Sequence, residues 1–576
     1  MLYIILSCIV LVFIWIGAGI LFSRASRLEQ VNFETLLHSF WVGWAMIIAF
    51  LQIWHLVFPV SGAAFFVILV ASLAGWYRAR KILQSLLMKW GWGRITFAGG
   101  LAMIPLVILS SHVMFDSPAY DHGLYHMQVV RWLNQYAIVP GLGNLHHRLA
   151  FNNSNLLYAA LINWGPFADR AYYLATTIPA LVLILAGANG FFQMFRPAEP
   201  VKLSNLFYTW MLPIMLWQFN HVFFAGYSTD AMIFMLQVVA AGAFLRLVES
   251  DNKTQAFDRL KFLTLIACVS VTVKLSFAIF GLSLLVAALL SIRVRFGRVA
   301  KEDGRSFAAC FALAALLLLP WITRNGILSG YLLFPSTALS LPLSWRMPLA
   351  LTTPIAPGIT EWARTVSNSI VYSGDMAWFR QWWHMFPHTA VQRSLFITAA
   401  LWVFNFGWLV AFRKKVKLHS GSFLLFAASL LSSVYWFWLA PDYRFSGAAL
   451  WLQLIATALF AAHMLIESNK VQATLLTSAG LLALTLWLNP NQFYIQRPEA
   501  GEILYPLGES ELLERRYQPA EFPTRQTLSG LDVQTSGESS DQCWYAELPC
   551  TRSQDFLPSL RLIDPRDMQK GFMIDP

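Results

Sequence analysis

The chain carries LYIILSCIVLVFIWIGAGILF at residues 2–22, a stretch without a charged side chain that is long enough to cross a lipid bilayer. Comparable apolar blocks of roughly 16 to 24 residues recur along the 576 residues. Of all residues, 57% are hydrophobic and 12% are charged, whereas an ordinary soluble domain has roughly 25% charged residues. The composition excludes a soluble enzyme, and the blocks predict an all-α polytopic membrane protein with about 14 transmembrane helices.

Basic residues indicate which side of the membrane each loop occupies. The formal net charge is +11, and much of the positive charge lies in short clusters between apolar blocks, as at 78–94 and 413–417. Short loops rich in Lys and Arg face the cytoplasm, so these clusters set topology and do not indicate a nucleic-acid partner. Arg24 and Arg27 follow the first block, which predicts a retained span with its N-terminal end outside. Three long segments then fall on the outer side: 113–170, 323–394 and 490–576.

This topology divides the chain into five parts, namely extra N-terminal transmembrane helices at 1–96, a membrane core at 97–322, a large outer loop at 323–394, C-terminal transmembrane helices at 395–489 and an outer tail at 490–576. The block 262–290 is too long for one crossing, so we expect a hairpin of two helices with Lys274 at its outer turn. Because the tail lies in an oxidising compartment, we expect a disulfide between Cys543 and Cys550, the alternative being two reduced thiols.

A dense set of polar residues follows the span that ends near residue 112. Asp121, His122 and Gly123 precede apolar residues at helical spacing, which predicts a turn that opens an amphipathic helix. A carboxylate at the start of a helix stays ionised, as a catalytic base requires, although Asp121 is alternatively a simple helix cap. The next loop adds a candidate donor or acceptor site made of Asn144, His146, His147, Arg148 and Asn152. A loop that only anchors the chain does not require this density of polar side chains.

The segment Asp121-x-x-x-Tyr125-His126-x-x-x-x-Arg131 resembles the first-loop motif of GT-C glycosyltransferases. The resemblance implies a GT-C-like membrane fold with interfacial helices in the outer loops and a sugar donor linked to a polyprenyl phosphate. It also implies that Asp121 is the general base and that Tyr125, His126 and Arg131 bind substrate. The sequence departs from the family pattern at His122, where many members have Glu.

Three further positions extend this resemblance over about residues 97–465. Asp230 opens a span where the family often has a second acidic residue, Lys274 resembles its outer Lys turn, and Asp442-Tyr443-Arg444 lies where many members have a similar Arg motif. Three spans precede the usual first one, which is a second departure. The run 141–153 and the segment 543–550 also resemble an uncharacterised family of bacterial multi-spanning membrane proteins.

Glycosyl transfer from a phosphate-linked donor needs a base for the acceptor and cations for the departing phosphate. Three cations are expected at the outer ends of three spans, namely Lys274, Arg324 and Arg444, and they are therefore candidate phosphate ligands. The alternative is that each side chain only extends its charge to the membrane interface. His126, His146 and His147 are candidate metal ligands. Because adjacent His146 and His147 would point apart on regular structure, we assign no cofactor and leave a divalent metal open.

These features predict an inverting glycosyltransferase of the bacterial inner membrane whose site faces the periplasm. Its partners would be the lipid bilayer, a polyprenyl-phosphate-sugar donor and a glycan, lipid or protein acceptor. A transporter or flippase of lipid-linked solutes is an alternative, although the polar residues gather in outer loops and not at the membrane midplane. An O-antigen ligase or polymerase is a third interpretation, because the loop 323–394 contains Arg324, Arg346, Arg364, Arg380, His384, His388 and Arg393.

Overall fold

The computed structural model describes a mostly helical protein. It covers residues 1–23, 32–115, 119–194, 201–219, 226–297, 303–365, 378–379, 382–383, 395–403, 406–407, 420–466, 480, 502–516, 522–537 and 540–575. Within these ranges, eight helices are long and apolar enough to cross a membrane. The structure therefore supports a helical integral-membrane protein, and the total of about 14 spans stays a prediction.

The α-helices with described bounds are α1 (Leu2–Phe22), α2 (Phe33–Trp54), α3 (Gly62–Phe115), α4 (Met127–Gln135), α5 (Ser154–Leu161), α6 (Ala171–Leu174), α7 (Thr177–Met194), α8 (Leu203–Gln218), α9 (Thr229–Val248), α10 (Lys253–Val273), α11 (Ala278–Phe296), α12 (Gly304–Ser329), α13 (Leu349–Thr352), α14 (Ile355–Thr365), α15 (Ser420–Leu439), α16 (Ala449–Ile466) and α17 (Glu509–Arg516). The short strands are β1 (Thr524–Gln526), β2 (Asp532–Thr535), β3 (Cys550–Thr551), β4 (Leu560–Leu562) and β5 (Phe572–Ile574). All the strands lie in the outer tail, so the membrane part of the described chain is helical.

Helices α1, α2 and α3 pack so closely that glycines of one helix lie against the backbone atoms of the next. A Cβ atom on Gly19 of α1 would lie 1.7 Å from the Ser39 carbonyl oxygen of α2, and one on Gly75 of α3 would lie 1.9 Å from the Gly17 carbonyl oxygen. Small residues allow such close approach in membranes, where tight van der Waals packing holds helices together. The extra N-terminal helices are thus an integral part of the bundle.

Helix α3 differs from the prediction of two spans joined by a basic cytoplasmic loop at 78–94. The structure runs it without interruption over the 54 residues from Gly62 to Phe115. The stretch 79–89 contains neither Gly nor Pro and is rich in Leu, Lys, Arg and Gln, all strong helix formers. Helix propensity therefore favours a helix over 79–89, although Gly91 and Gly93 follow. The connection is helical where a loop was expected, and the apolar stretches Gly62–Lys81 and Gly99–Phe115 lie on either side of it.

The helix is interrupted at Lys274, the position predicted for the turn of a hairpin. Helix α10 ends at Val273, Lys274 is extended (φ −153°, ψ 122°), and a short 3₁₀ turn leads into α11. The two helices are full-length and pack against each other, and Lys274 lies at their shared end. The break brings a cation to that end of the bundle.

The N-terminus, the first outer loop and the tail form one layer at the same end of the helices. The Leu2 amide donates to the Ile503 carbonyl (2.8 Å), and the Gly141 amide donates to the Ile327 carbonyl (2.8 Å). Strands β1, β2 and β3 form one sheet, with β1–β2 antiparallel and β2–β3 parallel, and β4–β5 form a second, antiparallel pair. Cys543 and Cys550 form the expected disulfide. The tail is thus a small folded element that covers the first outer loop.

Candidate functional site

Six charged side chains from separate parts of the chain meet at this end of the bundle, and we call them the charge cluster. Its members are Asp121, Arg148, Asp230, Lys274, Asp442 and Arg444. The first two come from the first outer loop, the next two from α9 and the α10–α11 turn, and the last two from the turn before α16. Three carboxylates and three cations balance within the cluster. The six side chains therefore carry no net charge as a group.

Asp121 lies immediately before a single π-helical turn, His122–His126, that leads into α4. Its carboxylate makes no cap hydrogen bond. One oxygen instead lies 3.2 Å from Nη1 of Arg444 and the other lies 3.5 Å from Nη1 of Arg148. The geometry disfavours the simple helix cap, and wide π turns are frequent at functional sites.

Asp121 is ionised at neutral pH. Burial alone would raise the pKa of its carboxyl, but the positive charges of Arg444, Arg148 and Lys274 outweigh burial and lower this pKa below its ordinary value. The carboxylate therefore carries a negative charge and can accept hydrogen bonds.

Lys274 forms an ion pair with Asp230, which lies in the first turn of α9. Ser228 caps the same helix by accepting a hydrogen bond from the Ala231 amide (3.2 Å). The Lys274 ammonium also lies 4.2 Å from the centre of the Phe445 ring. Because the cap fixes the start of α9 and the helix break fixes Lys274, the pair holds a defined position.

Arg444 is held by a polar turn and by aromatic rings. Asp442 accepts a hydrogen bond from the Arg444 amide (2.9 Å), which organises the 3₁₀ turn Tyr443–Ser446. The guanidinium lies 4.6 Å from the ring centre of Trp362 and 4.7 Å from that of Phe445. Burial acts to lower the pKa of Arg444, but the three neighbouring carboxylates raise it above its usual value.

Tyr125 and His126 lie beside the charge cluster and are both buried. Neither ring nitrogen of His126 has a hydrogen-bond partner among the described residues. Burial is the main cause that lowers the pKa of His126 to about 3, so the imidazole is neutral at physiological pH. A neutral buried ring with an unused donor and an unused acceptor is a candidate contact for a substrate hydroxyl.

A second polar network lies behind the π turn. His122 Nε2 lies 2.5 Å from Oε1 of Glu509, and the Tyr227 hydroxyl donates to the same carboxylate. Glu509 begins α17 in the tail, far from the other two residues in sequence. Glu509 is not recognisable from the sequence, because a single acid in a polar tail carries no signal of its buried partners.

The disulfide loop of the tail is hydrogen-bonded to the first outer loop. The Trp544 amide donates to the Gly123 carbonyl (2.9 Å), and Gln128 Nε2 donates to the carbonyls of Trp544 (3.0 Å) and Ala546 (2.9 Å). The Arg131 guanidinium also donates to the Ala546 carbonyl. Arg131, a predicted substrate ligand, is thus placed against the tail, because its position on α4 faces the disulfide loop.

Arg324 and Asn152 form a separate buried group. Arg324 donates from Nε to Oδ1 of Asn152 (2.9 Å), and its Nη1 lies 2.7 Å from Nδ1 of His55. Asn152 in turn donates to Oδ1 of Asn325 (2.8 Å). These contacts link α12 to the first outer loop, so Arg324 does not join Lys274 and Arg444 as predicted. Its side chain leaves α12 on the face toward α2.

The other predicted residues of the outer loops contact either the tail or segments in the middle of the chain. Asn144 donates to the carbonyls of Trp345 (2.8 Å) and Phe572 (3.2 Å), and this fits an architectural role. His146 and His147 lie near Asp555 of the tail. Arg364 donates to the Trp438 carbonyl (2.7 Å). Four residues of the ligase interpretation lie outside the described residues: Arg380, His384, His388 and Arg393.

Taken together, the structure gathers most of the predicted site. It brings together Asp121, Tyr125, His126, Arg148, Asp230, Lys274 and Arg444, and it places Arg131, Arg324, Asn144, His146, His147 and Asn152 elsewhere in the same outer layer. A family model described as a domain of unknown function (DUF8201) matches residues 1–451. No curated protein and no solved structure matches the chain. The matched range contains all six members of the charge cluster.

Proposed function

The chain belongs to the DUF8201 family, and we propose that it is an integral-membrane glycosyltransferase that moves a sugar from a polyprenyl-phosphate donor to an extracytoplasmic acceptor. The observation that carries the proposal is the position of Asp121 between Arg444 and Arg148, beside the Lys274–Asp230 pair. A carboxylate that stays ionised and several cations at one end of a membrane bundle match the needs of this chemistry.

In the proposed reaction, the acceptor hydroxyl gives its proton to the Asp121 carboxylate while its oxygen attacks the anomeric carbon. The bond between that carbon and the phosphate oxygen breaks, and the electron pair leaves with the polyprenyl phosphate. A single displacement of this kind inverts the anomeric configuration. Lys274 and Arg444 stabilise the charge that develops on the departing phosphate.

Access to the cations supports a phosphate ligand. The side chains of Lys274 and Arg444 are 25% and 12% exposed, so Lys274 is the more reachable of the two although both are paired. A phosphate oxygen accepts from an ammonium or a guanidinium at least as well as a carboxylate does. The incoming phosphate would compete with Asp230 for Lys274 and with Asp121 for Arg444, which would free the Asp121 carboxylate for the acceptor.

The surface next to the charge cluster suits a lipid-linked donor. Trp362 contacts Arg444 and is 42% exposed, and Trp438 and Leu439 at the end of α15 are exposed as well. Apolar side chains beside a phosphate-binding cation would accept the first isoprene units of the lipid while the phosphate stays at the membrane surface. With the basic clusters on the cytoplasmic side, this arrangement fits a bacterial inner-membrane enzyme whose site faces the periplasm.

The rival transporter hypothesis predicts a different arrangement. A carrier exposes its ligand site near the membrane midplane to each side in turn, often through broken helices. Among the described residues, the charge cluster lies instead at one end of the helices and beneath the folded tail. This one-sided arrangement favours an enzyme, and the experiment below separates the two functions.

The experiment compares the purified full-length chain with its Asp121→Asn variant and with Asp532→Asn, a matched change at an exposed carboxylate of β2. Each protein receives a set of radiolabelled polyprenyl-phosphate sugars and a cell-envelope extract as the source of acceptor. We measure both released polyprenyl phosphate and labelled acceptor. Loss of a general base predicts a decrease of about 100-fold or more for Asp121→Asn and no change for Asp532→Asn. Full activity of Asp121→Asn, or movement of intact donor across vesicles without cleavage, would refute the proposal.

A further inference from the structure

A second group of side chains, outside the charge cluster, has the composition of a metal site. His146 and His147 of the first outer loop and Asp555 of the tail place one ligand atom each within 4.8 Å of one another. His146 Nε2 and Asp555 Oδ2 lie 3.2 Å apart, which is close to the separation of two ligands around a tetrahedral zinc ion, roughly 3.3 Å.

The local backbone explains how two adjacent histidines face the same point. His146 is extended (φ −156°, ψ 121°), and the 3₁₀ turn His147–Ala150 begins at the next residue. The two imidazole centres are 5.1 Å apart. The sequence expectation that the two rings point apart is therefore wrong, because it assumed a regular strand or helix. A small rotation of His147, on the order of 1 Å at the nitrogen, would complete the ligand triangle.

His146 supplies the independent sign of a ligand. Its side chain is 97% buried, and its Nε2 atom makes no hydrogen bond of acceptable geometry within the described chain, although Asp555 is near. The contact with Asp555 is poorly aligned for a hydrogen bond, and leaving the hydrogen-bonding capacity of a buried nitrogen partly unused is costly to the folded state. A bound cation would satisfy this nitrogen and the carboxylate together.

Asp555 is oriented by a neighbour in the manner of a metal-binding carboxylate. Arg552 donates from Nε to Oδ2 (2.5 Å) and from Nη2 to Oδ1 (2.9 Å). Ligating carboxylates are commonly held by such outer partners. Two imidazoles and one carboxylate favour Zn²⁺ or a similar transition metal over Mg²⁺ or Ca²⁺, which prefer oxygen ligands, and they leave a fourth position for water.

We propose that His146, His147 and Asp555 bind a divalent cation of the zinc class that fastens the tail to the first outer loop. The site is distinct from the charge cluster but adjoins it, because Arg148 follows His147 and pairs with Asp121. The cation would hold the turn that carries Arg148. This proposal does not depend on the glycosyltransferase proposal.

The test uses untagged full-length protein dialysed against a chelator and then against buffered Zn²⁺. Mass spectrometry of the digested protein measures the zinc content. We expect one zinc per chain for the wild type and for Asp564→Ala, a carboxylate elsewhere in the tail, and at least tenfold weaker binding for His147→Ala and Asp555→Ala. Less than half an equivalent in the wild type, or equal binding by all four proteins, would overturn the site.

A second measurement keeps the test decisive if one variant folds poorly. Co²⁺ in a site with nitrogen and oxygen ligands gives visible absorption bands that report its geometry, so the wild-type chain should develop these bands on titration. Excess Zn²⁺ should remove them, whereas excess Mg²⁺ should not. A colourless Co²⁺ complex, or bands that Mg²⁺ removes equally well, would contradict the proposed ligand set.

Discussion

The contact between Gly123 and Trp544 connects the tail to the candidate base, and it can be tested by adding one methyl group. A Cβ atom on Gly123 would lie 2.5 Å from Cδ2 of Trp544 and 2.6 Å from two other ring atoms. Trp544 is 7% exposed and has a left-handed backbone (φ 40°), which is rare for a bulky residue. Because the buried indole has little room to move away from the added methyl group, either the disulfide loop or the π turn must shift.

We expect Gly123→Ala to cost about 1–3 kcal/mol of stability, which is typical for overpacking a buried contact. The π turn also carries His126 and adjoins Asp121, and a displacement on the order of 1 Å in such a site can reduce turnover by roughly 100-fold. The matched control is Gly99→Ala on α3, where the added Cβ would have no atom within 4 Å. This control should be neutral or slightly stabilising.

Thermal unfolding in detergent and release of polyprenyl phosphate are measured for both variants, for Trp544→Leu and for the double variant Gly123→Ala/Trp544→Leu. Because the smaller side chain removes the clash, the double variant should be about as stable as Trp544→Leu alone, which gives a coupling energy of about 1–3 kcal/mol. Additive losses, or a Gly123→Ala protein that behaves like Gly99→Ala, would refute the inferred contact.

Two other predictions concern the charges at the site. Lys274→Met should lower the free energy of unfolding by about 2 kcal/mol, because the partly buried Asp230 loses its partner, and it should also weaken donor binding. Adding Asp230→Asn should restore the free energy of unfolding but not donor binding. Thermal unfolding measures the first effect and titration with donor measures the second. His126, whose pKa burial lowers to about 3 despite the opposing charge of Asp121, stays neutral in the folded state while the unfolded chain is protonated below about 6.5. As the pH is lowered from about 6.5 to about 3, His126 should therefore decrease the free energy of unfolding by up to about 1.4 kcal/mol per pH unit. Denaturant titrations over this pH range should show a smaller decrease for His126→Gln.

The sequence allowed the main cluster to be predicted because its members stand out from an apolar background. Lys274 interrupts a long hydrophobic run, and Asp121 and Arg444 lie in short polar motifs next to spans. Each position marks an outer helix end, and outer helix ends of one bundle lie near each other. The pattern was sufficient to place these residues at the outer side of the bundle, without predicting which of them meet.

The same signal was misleading for Arg324, which is also a cation near the end of a span. Its destination depends on the rotation of α12 about its axis, and that rotation is set by packing against other helices. The roles of Glu509 and Trp544 were equally hidden, because both act through contacts with residues that are hundreds of positions away. Long-range docking of a polar tail leaves no periodic pattern in the sequence.

A structure of the full-length chain with polyprenyl phosphate bound would show whether the charge cluster holds the donor phosphate. We expect the phosphate to lie within hydrogen-bonding distance, roughly 3 Å, of Lys274 and Arg444 and next to the Asp121 carboxylate, with the lipid chain along the exposed face near Trp362. Phosphate density against Arg324, or in a central cavity open to both sides of the membrane, would contradict this expectation.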